Sequence, residues 1–286
     1  MKSLAKKKIW ALVAAAAMLA LSAALLAGCS GGSNESQDAG GDEATSAESG
    51  DFTLTVGFDQ GYPPYGFVGD DGEYTGFDLD LAAEVAERNG WGLELTAIDW
   101  DAKDALLSSG SINCIWNGFT MEGRENDYTF SEPYMLNEQV IVVKADSGIA
   151  DADGLAGKSV MTQVDSAALD VLDGDAADLA ATFAGGGPQT IGDYNNAFMQ
   201  LESGMVDAVA CDLSIANYQM SAKPNAYTII ETLSSEHYAV GFKQGDEELA
   251  ATVTDTLKEM YEDGTVQELC DKYAEYGLSF DNWVLK

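Results

Sequence analysis

Arg124 and Asp212 carry the clearest chemical signal in this sequence. The 286-residue chain contains two arginines. Arg88 lies in the charged run AAEVAERNG and reads as a solvated surface residue. Arg124 instead follows the apolar stretch ending Ile115-Trp116, with Gly118 and Thr120 just before it. A planar guanidinium beside a backbone turn and a hydroxyl is suited to clamping a carboxylate. Asp212 closes a second apolar stretch, Asp207-Ala-Val-Ala-Cys211. One cation and one anion, each at a strand end, fit a small zwitterion, and an amino acid is the simplest such molecule. Asp59 also follows a strand-like run. Tyr62 precedes Pro63-Pro64 and so sits on a stiff loop. Trp100 stands between Asp99 and Asp101, which suits a cleft-edge platform better than a core position. Two aromatic rings with a carboxylate suit a polar or cationic side chain. Trp91 and Trp116 are assigned to the core, and Asp78 and Asp80 to the positive end of a helix dipole.

The elements that must hold these residues alternate regularly after residue 52. Strands are expected at Thr53 to Phe58, Leu93 to Ile98, Ile112 to Trp116 and Gln139 to Val143, with helices around Phe77 to Ala86 and Ala102 to Leu107. After Gly157 the rhythm restarts. Strands are expected at Lys158 to Thr162, near Thr182, at Val206 to Cys211, Tyr227 to Ile230 and Tyr238 to Phe242, and helices from about Ser166, over Asp193 to Glu202 and over Leu213 to Met220. Two amphipathic helices, Glu247 to Glu262 and Thr265 to Tyr276, close the chain. This is an α/β pattern with mostly parallel sheets that starts twice, hence two lobes. Lobe 1 is placed at 52–140 plus 240–286, and lobe 2 at 141–239. Strands near 139–144 and 237–242 are expected to cross between them as a hinge. Ligands of open α/β sheets bind beyond the carboxyl ends of strands, so the inter-lobe cleft is the expected site.

Composition narrows the function. The formal net charge is −34, which argues against nucleic acid as a partner. Lys2, Lys6, Lys7 and Lys8 precede an apolar run, Ile9 to Ala27, that ends in Leu26-Ala27-Gly28-Cys29. Residues 1–28 therefore read as an export signal, with a single membrane-spanning anchor as the alternative, and either reading places the remainder outside the cytoplasmic membrane. Residues 29–51 hold almost no large apolar side chains and read as a flexible linker. Cys114, Cys211 and Cys270 show no metal-ligand spacing and read as buried thiols, with a disulfide left open. The single histidine, His237, has no neighbour with which to hold a metal and reads as structural or surface. No cofactor and no metal are expected.

At this level of detail the chain resembles the polar amino-acid family of bacterial ABC-transporter solute-binding proteins (family 3). The segments VGFDQGYPPYGF, YTGFDLDLAAEVAERNG, IDWDAKDALLSSGSINCIWNGFT, GRENDYTFSEPY, VDAVACD and KEMYEDGTVQELCDKYAEYG carry the resemblance across nearly all of residues 52–286. It implies a type II periplasmic-binding-protein fold, and that Cys29 is lipidated after cleavage and anchors a monomer to the outer face of the membrane. It implies no enzymatic activity, and delivery of an amino acid to a membrane permease. Arg124 and the Thr120 hydroxyl and amide would hold the ligand carboxylate, and Asp212, with the Gly118 carbonyl, its ammonium. Tyr62 and Trp100 would sandwich the side chain, and Asp59 would meet its far end. Gln163, Ser166 and Ala167 fall in a turn whose backbone N–H groups would face the carboxylate. The turn from Thr120 to Arg124 is one residue shorter than in many members. Asp165 stands where glycine is common, either capping the next helix or facing the carboxylate. Two rivals share the fold. One is a lyase acting on small carboxylates, similar to cyclohexadienyl dehydratase, and the other is a ligand sensor that signals to a membrane partner.

Overall fold

The structure is a computed structural model that describes residues 52–286; the expected leader, Cys29 and the linker lie outside the described residues. Alternation of buried and less buried residues builds the first strand. Leu54, Val56 and Phe58 of Thr53–Phe58 are fully buried. This strand pairs in parallel with Gly92–Ala97 on one side and Cys114–Ile115 on the other. Gly241–Lys243 then joins antiparallel to Cys114–Ile115, and Tyr128–Phe130 closes the five-stranded first sheet. The second sheet also has five strands, in the order Gln189–Ile191, Val160–Gln163, Ala208–Asp212, Met135–Lys144 and Tyr227–Tyr238. Its first three strands are parallel, and the last two run antiparallel. The molecule is thus α/β in two lobes, with sheets that are mixed because each receives strands returning from the other.

Helix Phe77–Asn89 shows how local sequence places these layers. Phe77, Leu81 and Val85 recur at helical spacing and are fully buried. The helix ends at Gly90, whose left-handed φ of 67° lets its N–H reach back to the Ala86 and Glu87 carbonyls. Helices Glu247–Glu262 and Thr265–Lys272 share the hydrophobic core of the first sheet, through Val253, Leu257 and Val266 among others.

Three expectations need correction. No strand forms near Thr182; the alanine-rich run makes a short helix, Ala177–Ala180, and the Thr182 hydroxyl donates back to the Leu179 carbonyl. The strand comes later, at Gln189–Ile191, beyond the glycines 185–187. The expected pair of strands at Tyr227 to Ile230 and Tyr238 to Phe242 is one long strand, Tyr227–Tyr238, followed by Gly241–Lys243; the polar run Ser234-Ser235-Glu236-His237 hides its strand character. Its partner begins at Met135, four residues before the expected start. The chain therefore passes between sheets around 131–134 and 239–240. There Tyr134 N–H donates to the Tyr238 carbonyl and Ala239 N–H to the Phe119 carbonyl. Cys114, Cys211 and Cys270 are free and buried. Burial pushes the Cys270 thiol up to about 12, consistent with an inert group.

Asp78 does more than favour a helix dipole. It is fully buried and accepts the Gly118 N–H at 2.6 Å and the Tyr134 hydroxyl at 2.8 Å, tying the first helix to the loop that precedes Thr120. Burial raises it from 3.8 to about 7, against the lowering effect of those two bonds. The folded chain therefore keeps this proton between about pH 4 and 7, where the unfolded chain has lost it. Stability falls through that window as pH rises. D78N is expected to show a shallower fall than the parent in urea titrations across the window. D78A, which leaves two donors without an acceptor, is expected to lose roughly 2–5 kcal/mol.

Candidate functional site

Strand ends converge where the two sheets face each other. Asp59 follows the first strand, Asn117 to Thr120 follow Cys114–Ile115, Gln163 ends its strand and Asp212 ends Ala208–Asp212. Nine of the ten expected ligand residues line one cavity: Tyr62, Trp100, Gly118, Thr120, Arg124, Gln163, Ser166, Ala167 and Asp212. Asn117, Phe119 and Tyr194 complete its wall. The tenth, Asp59, lines an adjoining cavity of about 490 Å³ with Asp99, Asp101 and Asp193. The two cavities share Trp100, and the central one shares Arg124 with a third, of about 730 Å³.

The central cavity has a volume of only about 20 Å³, the room of one water molecule. Contacts between the lobes explain why. The Gln163 amide donates to Asp59 Oδ2 at 2.7 Å. Trp100 Nε1 donates to the Asp165 carbonyl at 3.1 Å. Arg124 lies over the Phe119 ring and donates to the Thr120 carbonyl and, across the cleft, to Asp170 Oδ2 at 2.7 Å. Lys103 Nζ stands 3.6 Å from Asp165 Oδ2 and over the Trp100 ring, and burial lowers its pKa.

Asp165 is not the helix cap. Ser166 caps helix Ala167–Asp173 by accepting the Leu169 N–H at 3.1 Å. Asp165 precedes it with φ at 54°, in the left-handed region that glycine occupies freely and that aspartate tolerates better than most side chains. The residue thus keeps the backbone shape of a glycine position. Its carboxylate faces Lys103, and its carbonyl serves Trp100 and Arg124.

The acidic end of the cavity is built from neutral donors. Asp212 Oδ1 accepts from Gln139 at 2.6 Å, from Asn137 at 2.9 Å and from the Tyr238 hydroxyl at 2.8 Å. The same two amides donate to Glu236 Oε1 at 2.8 and 2.9 Å, and the Thr120 hydroxyl reaches it at 2.7 Å. The Thr120 hydroxyl is therefore engaged by Glu236 in this structure. Sequence reasoning missed Glu236, Asn137, Gln139 and Tyr194. Asn137 and Gln139 are polar residues at buried positions of a largely apolar strand, and Glu236 lies in the polar run near the end of its own.

Residues 54–276 match the model of the bacterial extracellular solute-binding proteins, family 3. The chain belongs to this family. This family-3 protein is 32% identical over 226 residues to the L-cystine-binding protein TcyJ of Escherichia coli K12, covering 77% of the chain and 82% of that relative. It is similar in structure to an ABC uptake transporter substrate-binding protein of Streptococcus pneumoniae with bound histidine, with 34% identity, a TM-score of 0.75 and coverage of 77% and 92%. It is also similar to an ancestral arginine-binding protein bound to arginine, with 34% identity, a TM-score of 0.70 and coverage of 77% and 97%.

The Gln163–Asp59 bond is a buried polar tie between the lobes. Q163A would leave the Asp59 carboxylate without that donor, and burial already raises the Asp59 pKa. The variant is expected to lose about 1–3 kcal/mol in urea unfolding.

Proposed function

We propose that this chain is the extracytoplasmic substrate-binding lipoprotein of an ABC importer and captures a polar or basic L-amino acid between its lobes. The observation that carries this reading is one small cavity lined by Arg124 and by Asp212, with Tyr62 and Trp100 on its wall. Arg124 takes the α-carboxylate and Asp212 the α-ammonium. The side chain extends past Trp100 toward Asp59, where Asp99 and Asp193 add negative charge and favour a cationic end group. Relatives that bind cystine or histidine or arginine support an amino-acid cargo. The ligand docks on the first lobe and closure brings Asp212 and the Gln163–Ala167 turn against it. Arg124 exchanges Asp170, an exposed partner, for the buried ligand carboxylate. Residues 1–28 act as the signal, Cys29 carries the lipid and residues 29–51 form the tether. The lobes divide near 134 and 240, and a monomer delivers the amino acid to a membrane permease without chemical change.

Calorimetric titration of the purified chain, freed of copurified ligand, with the twenty amino acids and cystine tests this. Tight binding of a polar or basic L-amino acid is expected. R124A, which leaves a buried carboxylate unpaired, should weaken it by about 3–5 kcal/mol, or roughly 10²–10³·⁵-fold. Absence of binding across the panel, or an R124A variant that binds as tightly as the parent, would reject the assignment.

A further inference from the structure

Asp212 and Glu236 are two carboxylates, 4% and 3% exposed, held side by side by the same two amide groups. Each NH₂ group has two hydrogens, and each gives one to Asp212 and one to Glu236, so both amides are fully used. Every one of these bonds ends on a single oxygen of each acid, Oδ1 or Oε1. Among the described residues, neither acid has a salt-bridge partner. Arg124, which lines the same cavity, is engaged by Asp170 and the Thr120 carbonyl. The other titratable groups around the pair are Tyr62, Tyr65, Tyr194, Tyr238 and Cys211. Burial pushes all five well above their ordinary values, so they stay neutral and supply no positive charge. Two further observations point to a missing guest. The Tyr194 hydroxyl is buried and without a hydrogen-bond partner on the wall of the cavity that Asp212 lines. Gln139 Oε1, on the amide that bridges the two acids, is likewise buried and unpartnered.

Two like charges cannot both persist in such a place without a cation. We infer that Asp212 and Glu236 form a paired receptor that holds one proton when empty and gives it up to solvent when the ligand's ammonium enters. This rests on the amino-acid reading above and adds proton linkage to it. The exchange balances: one carboxyl becomes a carboxylate, its proton goes to the buffer, and the ammonium takes its place as the neutralising charge. Burial and the neighbouring Asp212 charge raise Glu236 from 4.5 to about 7, and Asp212 is raised as well. Below about pH 7 the entering cation must then displace a proton, so affinity falls as pH falls, at most tenfold per pH unit for one proton. Thr120 links the receptor to the first lobe, because its hydroxyl donates to Glu236 while its carbonyl accepts from Arg124.

The test is calorimetry of the parent and of Glu236→Gln with L-arginine, L-glutamine and L-cystine. Each is titrated in phosphate and in Tris, whose ionisation enthalpies differ, at about pH 6 and about pH 7.5. Expected for the parent is release of close to one proton per bound ligand at the lower pH and less at the higher. Expected for E236Q is binding with little proton release and a flatter pH dependence. A parent that binds with the same heat in both buffers overturns the inference and leaves the amino-acid reading standing. So does an E236Q variant that releases as many protons as the parent. A folded parent that binds none of these three, nor any other of the twenty amino acids, overturns both. The parent's proton count decides the matter even if E236Q fails to fold.

Discussion

The constraint on which this molecule turns is the burial of carboxylates without cations to meet them. The chain carries 48 acidic residues against 14 basic ones. Asp59, Asp78, Asp212 and Glu236 are buried, and among the described residues none of them has a salt-bridge partner. Backbone N–H groups, amides and hydroxyls take the place of lysine and arginine. Burying a charge this way is costly even when hydrogen bonds satisfy it, and raised carboxyl pKa values follow directly. Asp78 spends its bonds internally, fixing the loop from which Gly118 and Thr120 project. Asp59 ties one lobe to the other through Gln163. Asp212 and Glu236 differ in that one oxygen of each stays outside the network, and Asp212 lines the central cavity.

The surrounding aromatics make this arrangement tenable. Tyr62, Tyr65 and Tyr238 pack in tilted and edge-on pairs beside Asp212, and Tyr194 continues the group from the second lobe. They exclude water, which strengthens any charge that enters, and they carry hydroxyls that accept or donate without adding net charge. Tyr238 ends the long second-sheet strand just before the chain returns to the first sheet, and it belongs to the Asp212 network. The acidic end of the cavity thus lies beside the passage between the two sheets.

Much of this was legible in the sequence, and the pattern of what was not is instructive. Strand-terminal Asp212, the Trp100 flanked by aspartates and the Tyr62-Pro63-Pro64 loop are marked by local chemistry, and the structure brings them to one wall. Helix Phe77–Asn89 was legible through its period and its terminal glycine. Asp78 stands in the first turn of its helix as expected, but its buried bonds were not legible, because a first-turn aspartate looks the same whether it faces water or a buried N–H. Glu236, Asn137 and Gln139 were invisible for a different reason. Their partners lie 73 to 116 residues away along the chain, and only strand pairing makes them neighbours. The expected strand near Thr182 failed because alanines beside a glycine run satisfy a short helix and turn more readily than a sheet edge.

The same charge logic explains why a shut cleft is compatible with capture. The ties across it are few. Arg124 meets an aspartate that is 64% exposed, a pair of the kind worth at most about 1 kcal/mol. Lys103 and Asp165 stand 3.6 Å apart, too far for a strong bond. Opening therefore breaks these two weak contacts, the Trp100–Asp165 bond and the buried Gln163–Asp59 bond, while the costly groups, Asp212 and Glu236, keep their amide donors, which lie in the same sheet, in either state. A zwitterion entering on the proposed reading replaces the exposed partner of Arg124 with a buried one and supplies the positive charge that the acid pair lacks. Both exchanges are available only to a ligand with the two charges correctly spaced. A molecule bearing one charge would close one end of the cavity and leave the other unneutralised, so discrimination arises from the acid–base balance of the site as much as from its shape.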